Sequence, residues 1–173
     1  ASEDNLAWLR ATGRRYIIGT PKAQLRRFEA ELADPAGWRE IRDGIQVKLT
    51  NWPGTDEMVV LCRSDARRSK EQAMHEKFAR RIEEALERLA TRIATATRRL
   101  GETQINRQIG RILQKNQRAA ARFRIALEPS AAPAGLRLQV DIDPAFDDWA
   151  ALSEGAYALR SNIADWTDER MWK

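Results

Sequence analysis

The feature that most constrains this 173-residue sequence is an apolar stripe between Ser64 and Leu100. Its members recur at steps of three, four or seven residues, which places them on one face of an α-helix. They are Met74, Phe78, Ile82, Leu86, Leu89, Ile93 and Leu100. Because Ser64 and Asp65 supply a capped acidic start and Gly101 follows the stripe, we predict one helix over 64–100. About 35 helical residues would span roughly 50 Å.

A second apolar stripe follows Gly101 and supplies a partner for this long helix. Ile105, Ile109, Ile112 and Leu113 predict an amphipathic helix over 103–118. Because only a short turn separates the two helices, we predict an antiparallel helical hairpin over about 64–118.

Segments of alternating apolar and polar residues flank the predicted hairpin. The Asp43-Gly44 pair between two such segments is typical of a tight β-turn. The predicted strands are 38–41, 45–49, 57–63, 122–127 and 136–142. For residues 38–142 we therefore predict an antiparallel sheet into which the helical hairpin is inserted.

The two ends of the sequence have a different, α/β pattern. A helix over 2–12 is followed by an apolar segment, Tyr16–Gly19, that suits a buried strand, and then by a helix over 22–32. The pattern stops near Leu32 and resumes at a predicted strand over 155–160. We therefore predict an α+β protein in which residues 1–35 and 153–173 form one part and residues 36–152 an insertion.

Composition narrows the class of protein only slightly. The 30 basic and 25 acidic residues give a net charge of +5, which suits a nucleic-acid partner but is also common in other soluble proteins. No apolar segment approaches the roughly 20 residues of a membrane span, so we expect a soluble intracellular protein without a membrane partner. The single cysteine, Cys62, lies in a predicted strand, and we interpret it as a buried core thiol.

Candidate catalytic groups are sparse. His75 is the only histidine and lacks the second histidine that a zinc-protease helix needs. The aspartates of residues 141–148 lack the turn glycine and the terminal glutamate of a calcium loop, so we interpret them as strand-end and helix-cap residues. The sequence therefore predicts no catalytic residue and no metal ligand.

Two clusters of basic residues are better candidates for function. One follows the first predicted strand and the other lies at the start of the long helix, where mobile cations can contact phosphates. The clusters are Lys22, Arg26 and Arg27, and Arg63, Arg67, Arg68 and Lys70. For either cluster alone, a solvated helix face without a ligand is the preferred interpretation.

Four short motifs, in this order, resemble the DDE transposases of bacterial insertion sequences. They are Ser2-Glu3-Asp4-Asn5-Leu6, Tyr16-Ile17-Ile18-Gly19-Thr20-Pro21-Lys22, Leu61-Cys62-Arg63-Ser64 with Arg67 and Lys70-Glu71, and Gly155-Ala156-Tyr157-Ala158-Leu159-Arg160-Ser161-Asn162. The resemblance extends over nearly the whole chain and includes a helix-rich insertion between the second and the last motif.

The resemblance implies a fold, an activity and a cofactor. These enzymes have an RNase-H-like core with a mixed sheet, in which three carboxylates hold two divalent metal ions, so Mg²⁺ is expected for the complete enzyme. The family's second carboxylate would precede Ala1 and its third would follow Lys173. The chain would then be a segment of a DNA transposase that is inactive alone, with parts of the core at residues 1–35 and 153–173 and the insertion domain at 36–152.

The resemblance also implies a partner, transposon-end DNA, in the bacterial cytoplasm. The residues that match family positions near the expected active cleft are candidate DNA contacts: Lys22, Arg63, Arg67, Arg160 and Asn162. Two alternatives stay open. In the first, the chain is a non-catalytic interaction or DNA-binding module, whose helical stripe forms a homodimer. In the second, it is a remnant of a decayed transposase.

Overall fold

The computed structural model describes residues 3–163 and 165–172, which form an α+β structure. The α-helices are α1 (Glu3–Ala11), α2 (Glu29–Ala33), α3 (Asp65–Ala94), α4 (Glu102–Lys115), α5 (Gln117–Ala120), α6 (Pro144–Ser153) and α7 (Asp168–Trp172). The strands are β1 (Ile17–Gly19), β2 (Arg39–Arg42), β3 (Ile45–Asn51), β4 (Met58–Ser64), β5 (Phe123–Pro129), β6 (Leu136–Ile142) and β7 (Ala156–Ser161). A 3₁₀-helix, Lys22–Phe28, precedes α2. Among these helices, none combines the length and apolar character that crossing a membrane requires.

The larger sheet has five strands in the order β1-β7-β4-β3-β2. Every neighbouring pair is antiparallel, so the described strands do not form the mixed sheet that the resemblance implies. The predicted turn between β2 and β3 is confirmed, with Gly44 at a φ of +65°, a conformation that favours glycine. Strand β4 pairs along its length with β3 and β7, and its residues Val59 to Cys62 are fully buried.

Apolar residues cover this sheet. Val47, Val60 and Cys62 pack with Met171 of α7, and the prediction that Cys62 is a buried thiol is confirmed. The predicted apolar face of segment 22–32 is also confirmed, because Leu25, Phe28 and Leu32 are buried. That segment is not one helix, however, since Phe28 adopts a φ of −115° and a ψ of 25° between the 3₁₀-helix and α2.

The smaller sheet pairs β5 with β6 and packs against α3 and α4. The predicted stripe is confirmed in part, from Ile82 to Ile93, as the buried face of α3. Four of its residues are at most 5% exposed and pack against α4 and the two strands: Ile82, Leu86, Leu89 and Ile93.

The predicted ends of the two long helices were wrong. Helix α3 ends at Ala94 instead of Leu100. The Ala96 N–H donates to the Ile93 carbonyl, three residues back, and the Leu100 N–H donates to the Ala134 carbonyl at 3.0 Å, which holds the end of this segment against the loop before β6. Helix α4 ends at Lys115 because Asn116 leaves helical geometry, with a φ of −129°.

The strand predicted over Tyr16–Gly19 is present from Ile17, but the prediction that it is buried was wrong. Strand β1 begins at Ile17, and among the described strands it pairs only with β7. Ile17 is 37% exposed because the strand lies at the edge of the sheet, whereas Tyr16, just before it, is buried.

The chain divides into two compact units, residues 1–71 with 151–173 and residues 72–150. We refer to them as unit 1 and unit 2. These boundaries differ from the predicted division at residues 35 and 153, because β2, β3 and β4 share a sheet with β1 and β7. The first boundary falls within α3, after Glu71.

Candidate functional site

Three of the four motif segments lie on neighbouring strands of unit 1. Strand β7, which carries the last motif, is hydrogen-bonded to β1 on one side and to β4 on the other. The Ser161 hydroxyl donates to the Tyr16 carbonyl at 2.7 Å across 145 positions of sequence. The first motif lies on α1 from Glu3 onward, and Ser2 lies outside the described residues. Segments far apart in sequence are therefore adjacent in this unit.

Glu71 connects three of these motif segments. Its carboxylate accepts hydrogen bonds from the Lys22 ammonium and from the Gly155 N–H, the latter at 3.0 Å, and Arg67 Nε lies 3.9 Å away. Burial opposes ionisation of Glu71, but the bonds from Lys22 and Gly155 hold the pKa of this carboxyl below its usual value. One carboxylate thus pairs with two cationic side chains, Lys22, which is 44% exposed, and Arg67, which is 53% exposed. We refer to Lys22, Arg67 and Glu71 as the Glu71 cluster.

Gly155 permits this arrangement because it brings two chain segments unusually close. Its φ is +74°, and a Cβ atom there would lie 2.6 Å from the Ser64 carbonyl oxygen and 2.8 Å from Cβ of Arg68. The Ser64 N–H donates to the Gly155 carbonyl at 3.1 Å. The start of β7 is thereby fixed against the junction of β4 and α3, where Arg67 and Glu71 begin the helix.

Arg63 is a cation without a carboxylate partner among the described residues. Its guanidinium lies 3.9 Å from the centre of the Trp38 ring, and Nη2 donates to the Leu32 carbonyl. Nε is buried and has no hydrogen-bond partner in the described chain. Burial and the nearby charge of Arg68 lower the pKa of Arg63. The positive potential around this half-buried group favours the binding of an anion nearby.

Both Arg63 and Arg67 are supported by aromatic rings. The Arg67 guanidinium lies 4.7 Å from the centre of the Tyr157 ring, and the Arg63 guanidinium lies 3.9 Å from the centre of the Trp38 ring. Stacking of this kind holds the planar guanidinium in a fixed orientation. Arg67, whose side chain is 53% exposed, is suited to bidentate contact with a phosphate, whereas Arg63 has its Nε buried and its Nη2 bonded to the Leu32 carbonyl.

The other two predicted contacts have structural partners instead. Arg160 is 3% exposed, donates to Glu57 and lies 3.8 Å from the centre of the Trp52 ring. The Asn162 side chain accepts from the Tyr16 N–H at 3.0 Å and donates to the Arg14 carbonyl at 2.8 Å. These bonds hold the segment before β1 against the end of β7. We therefore restrict the candidate site to Lys22, Arg63 and Arg67 with Glu71.

A buried ionic network centred on Glu57 was missed by the sequence reasoning. The carboxylate accepts from Arg10 Nε at 2.7 Å, from the Tyr16 hydroxyl and from Arg160. Burial opposes its ionisation, but these three donors hold the pKa of Glu57 below its usual value. The four residues come from segments far apart in sequence, so no local pattern could have revealed them.

The described residues do not suit a magnesium ion. No group of three or more His, Cys, Asp or Glu side chains among them could hold a metal ion. Two of the aspartates considered above have other partners: Asp143 accepts from the Ala145 N–H and pairs with Arg124, and Asp147 pairs with Arg122.

Comparison with known proteins identifies no relative. No protein-family model, no curated protein and no solved structure matches this chain.

Proposed function

We propose that this chain is a segment of a DDE-type DNA transposase, lying between the second and third catalytic carboxylates of the complete enzyme. The sequence resemblance is the starting point. The observation that supports it most strongly is that Glu71 binds Lys22 and the Gly155 N–H, so that residues of three motif segments meet although they lie far apart in sequence. Chance matches to short motifs give no reason to expect such convergence.

We further propose that unit 1 belongs to an RNase-H-like core and that unit 2 is the insertion domain. The insertion then extends over 72–150 instead of 36–152, because β2, β3 and β4 complete the sheet that contains β1 and β7. An antiparallel hairpin of α3 and α4 is part of this proposal. It is supported by the apolar cluster in which Leu89 and Ile93 of α3 pack with Ile105 and Ile109 of α4.

In this account the chain's own residues bind DNA and position it. Arg63 and Arg67 present stacked guanidinium groups, and Lys22 adds a third cation. Among the described residues Glu71 pairs with Lys22 and Arg67, and Arg63 has no carboxylate partner, so the three cations keep a positive charge toward the phosphates of transposon-end DNA. Mg²⁺ and the catalytic carboxylates would act from parts of the enzyme outside this chain.

The salt dependence of DNA binding tests this proposal. We would titrate the chain with a duplex of the transposon end at several salt concentrations, and compare Arg63→Ala and Arg67→Ala with the wild type. Loss of one phosphate contact should reduce the slope of log K against log salt by about 0.9. Arg111→Ala is a matched control, because Arg111 is exposed on α4 and has no ion pair in the described chain. If neither test variant changes affinity or slope, the proposed contacts are wrong.

The interaction-module alternative has less support. It requires the α3 stripe to pair with a second copy, but Ile82, Leu86 and Ile93 are already buried against the chain's own α4, β5 and β6. The stripe would have to separate from these elements before it could bind another chain.

A further inference from the structure

Strand β6 is an open sheet edge in unit 2. It is seven residues long, pairs with β5 without a register shift, and is hydrogen-bonded to no other strand of the described chain. Its outward backbone N–H and C=O groups are therefore available. A long, regular edge of this kind is a template for another strand.

The same strand exposes apolar side chains. Leu136, Leu138, Val140 and Ile142 alternate along one face, and Val140 and Ile142 are 40% and 43% exposed. Leu138 packs onto α3 and α4 through the apolar clusters, so the exposed pair continues the face that forms the core of unit 2. Extending the sheet by one strand would continue this face.

The charges on the opposite face make β6 complementary to itself. Gln139 is the central residue of the seven, so antiparallel pairing about a two-fold axis at Gln139 places Arg137 opposite Asp141 of a second copy. The symmetry forms this pair twice. Arg137 now pairs with Glu128 and has a 69% exposed side chain, whereas Asp141 accepts a hydrogen bond from Gln139 and has no ion pair in the described chain. The same register places Leu138 opposite Val140 and Leu136 opposite Ile142.

We propose that β6 is the homodimer interface of this chain, and that two copies join their two-stranded sheets into one antiparallel sheet of four strands. The opposite-charge pairs select this register over its neighbours, because a slip moves Arg137 away from Asp141.

The edges of the larger sheet are less suited to this role. Strand β2 has four residues, three of them charged, and an irregularity between Glu40 and Arg42. Strand β1 has only three residues. Short, charged and irregular edges resist pairing with another chain.

Complementary charge reversals test the proposal by sedimentation velocity over a concentration series of the full chain. Wild type should dimerise. Arg137→Glu and Asp141→Lys should each weaken self-association by about tenfold, because each creates two like-charge pairs. An equimolar mixture of the two variants should restore dimerisation, because both cross-chain pairs again have opposite charge. Arg111→Glu, on an exposed residue of α4, should leave the dimer unchanged.

A cross-linking measurement tests the register independently. In the proposed dimer Gln139 faces itself, with Cβ atoms about 5 Å apart. Gln139→Cys should therefore form a disulfide-linked dimer under mild oxidation, whereas Gln114→Cys, at an exposed position of α4, should not. The native Cys62 is fully buried and does not compete. A monomeric wild type, a mixture that fails to dimerise, or equal cross-linking at both cysteines would overturn the proposal.

Discussion

The Gly155 N–H donates a hydrogen bond to the Glu71 carboxylate at 3.0 Å and connects residues that are 84 positions apart. Through this bond the turn before β7 is held against the first turns of α3. The two segments belong to different motifs of the sequence, and the bond brings both next to the candidate site.

Substitution of Gly155 should show how much this close approach requires glycine. Gly155→Ala combines a positive φ with a Cβ atom 2.6 Å from the Ser64 carbonyl oxygen, so we expect a loss of about 3 kcal/mol in the free energy of unfolding. Gly54→Ala is the matched control, since Gly54 has a φ of +77° but no atom within 4 Å of the added Cβ. It should lose about 1 kcal/mol. Equal losses in urea denaturation would contradict the steric explanation.

Removal of the Glu57 charge should destabilise the protein strongly. Glu57→Gln leaves the 3% exposed Arg160 without a carboxylate on its Nε, and breaking a buried ion pair in this way costs about 3 to 5 kcal/mol. Glu84→Gln is the control, because Glu84 is exposed and lies 3.9 Å from Arg88. The control should change the free energy of unfolding by less than about 0.5 kcal/mol. Similar denaturation midpoints for the two variants would show that the Glu57 network contributes little.

Stability should decrease in acid. Despite burial, hydrogen bonds hold the pKa of Glu57 and of Glu71 below the ordinary glutamate value of 4.5. Their ionised forms therefore stabilise the fold above pH 4.5, and this contribution is lost as the pH falls through the lowered pKa values. We expect the free energy of unfolding to decline below pH 4.5, and less steeply in Glu71→Gln. An identical pH profile for this variant would exclude a contribution from Glu71.

The Cys62 thiol should be unreactive in the folded protein. Burial raises its pKa to about 12, and the side chain is fully buried. A thiol-specific reagent at pH 8 should therefore modify Cys62 only as fast as the protein opens, and rapidly in urea. Fast modification without denaturant would show that the core around β4 opens readily.

Local patterns in the sequence were sufficient to predict most helices and strands. The apolar spacing identified the buried face of α3, and Asp43-Gly44 identified the turn between β2 and β3. The grouping of strands could not be predicted in this way, because β4 gains its second partner, β7, from the other end of the chain. The predicted boundary near residue 35 marked a change in the pattern of apolar residues along the sequence. The strands on both sides of this boundary nevertheless belong to one hydrogen-bonded sheet.

The candidate site was predictable in part for the same reason. Lys22, Arg63 and Arg67 are at strand or helix ends, where a cation can remain exposed. Arg160 was predicted from a motif in the same way, but it contacts Trp52 and Glu57, which are distant in sequence. A motif can indicate which residue matters without indicating which group it binds.

The coding DNA on both sides of this segment tests the central claim most directly. If the chain is part of a transposase, the reading frame should continue on both sides, with an aspartate codon just before Ala1 and a glutamate codon about two helical turns after Lys173. A start codon directly before Ala1 and a stop codon directly after Lys173 would contradict the claim and favour a remnant or a binding module.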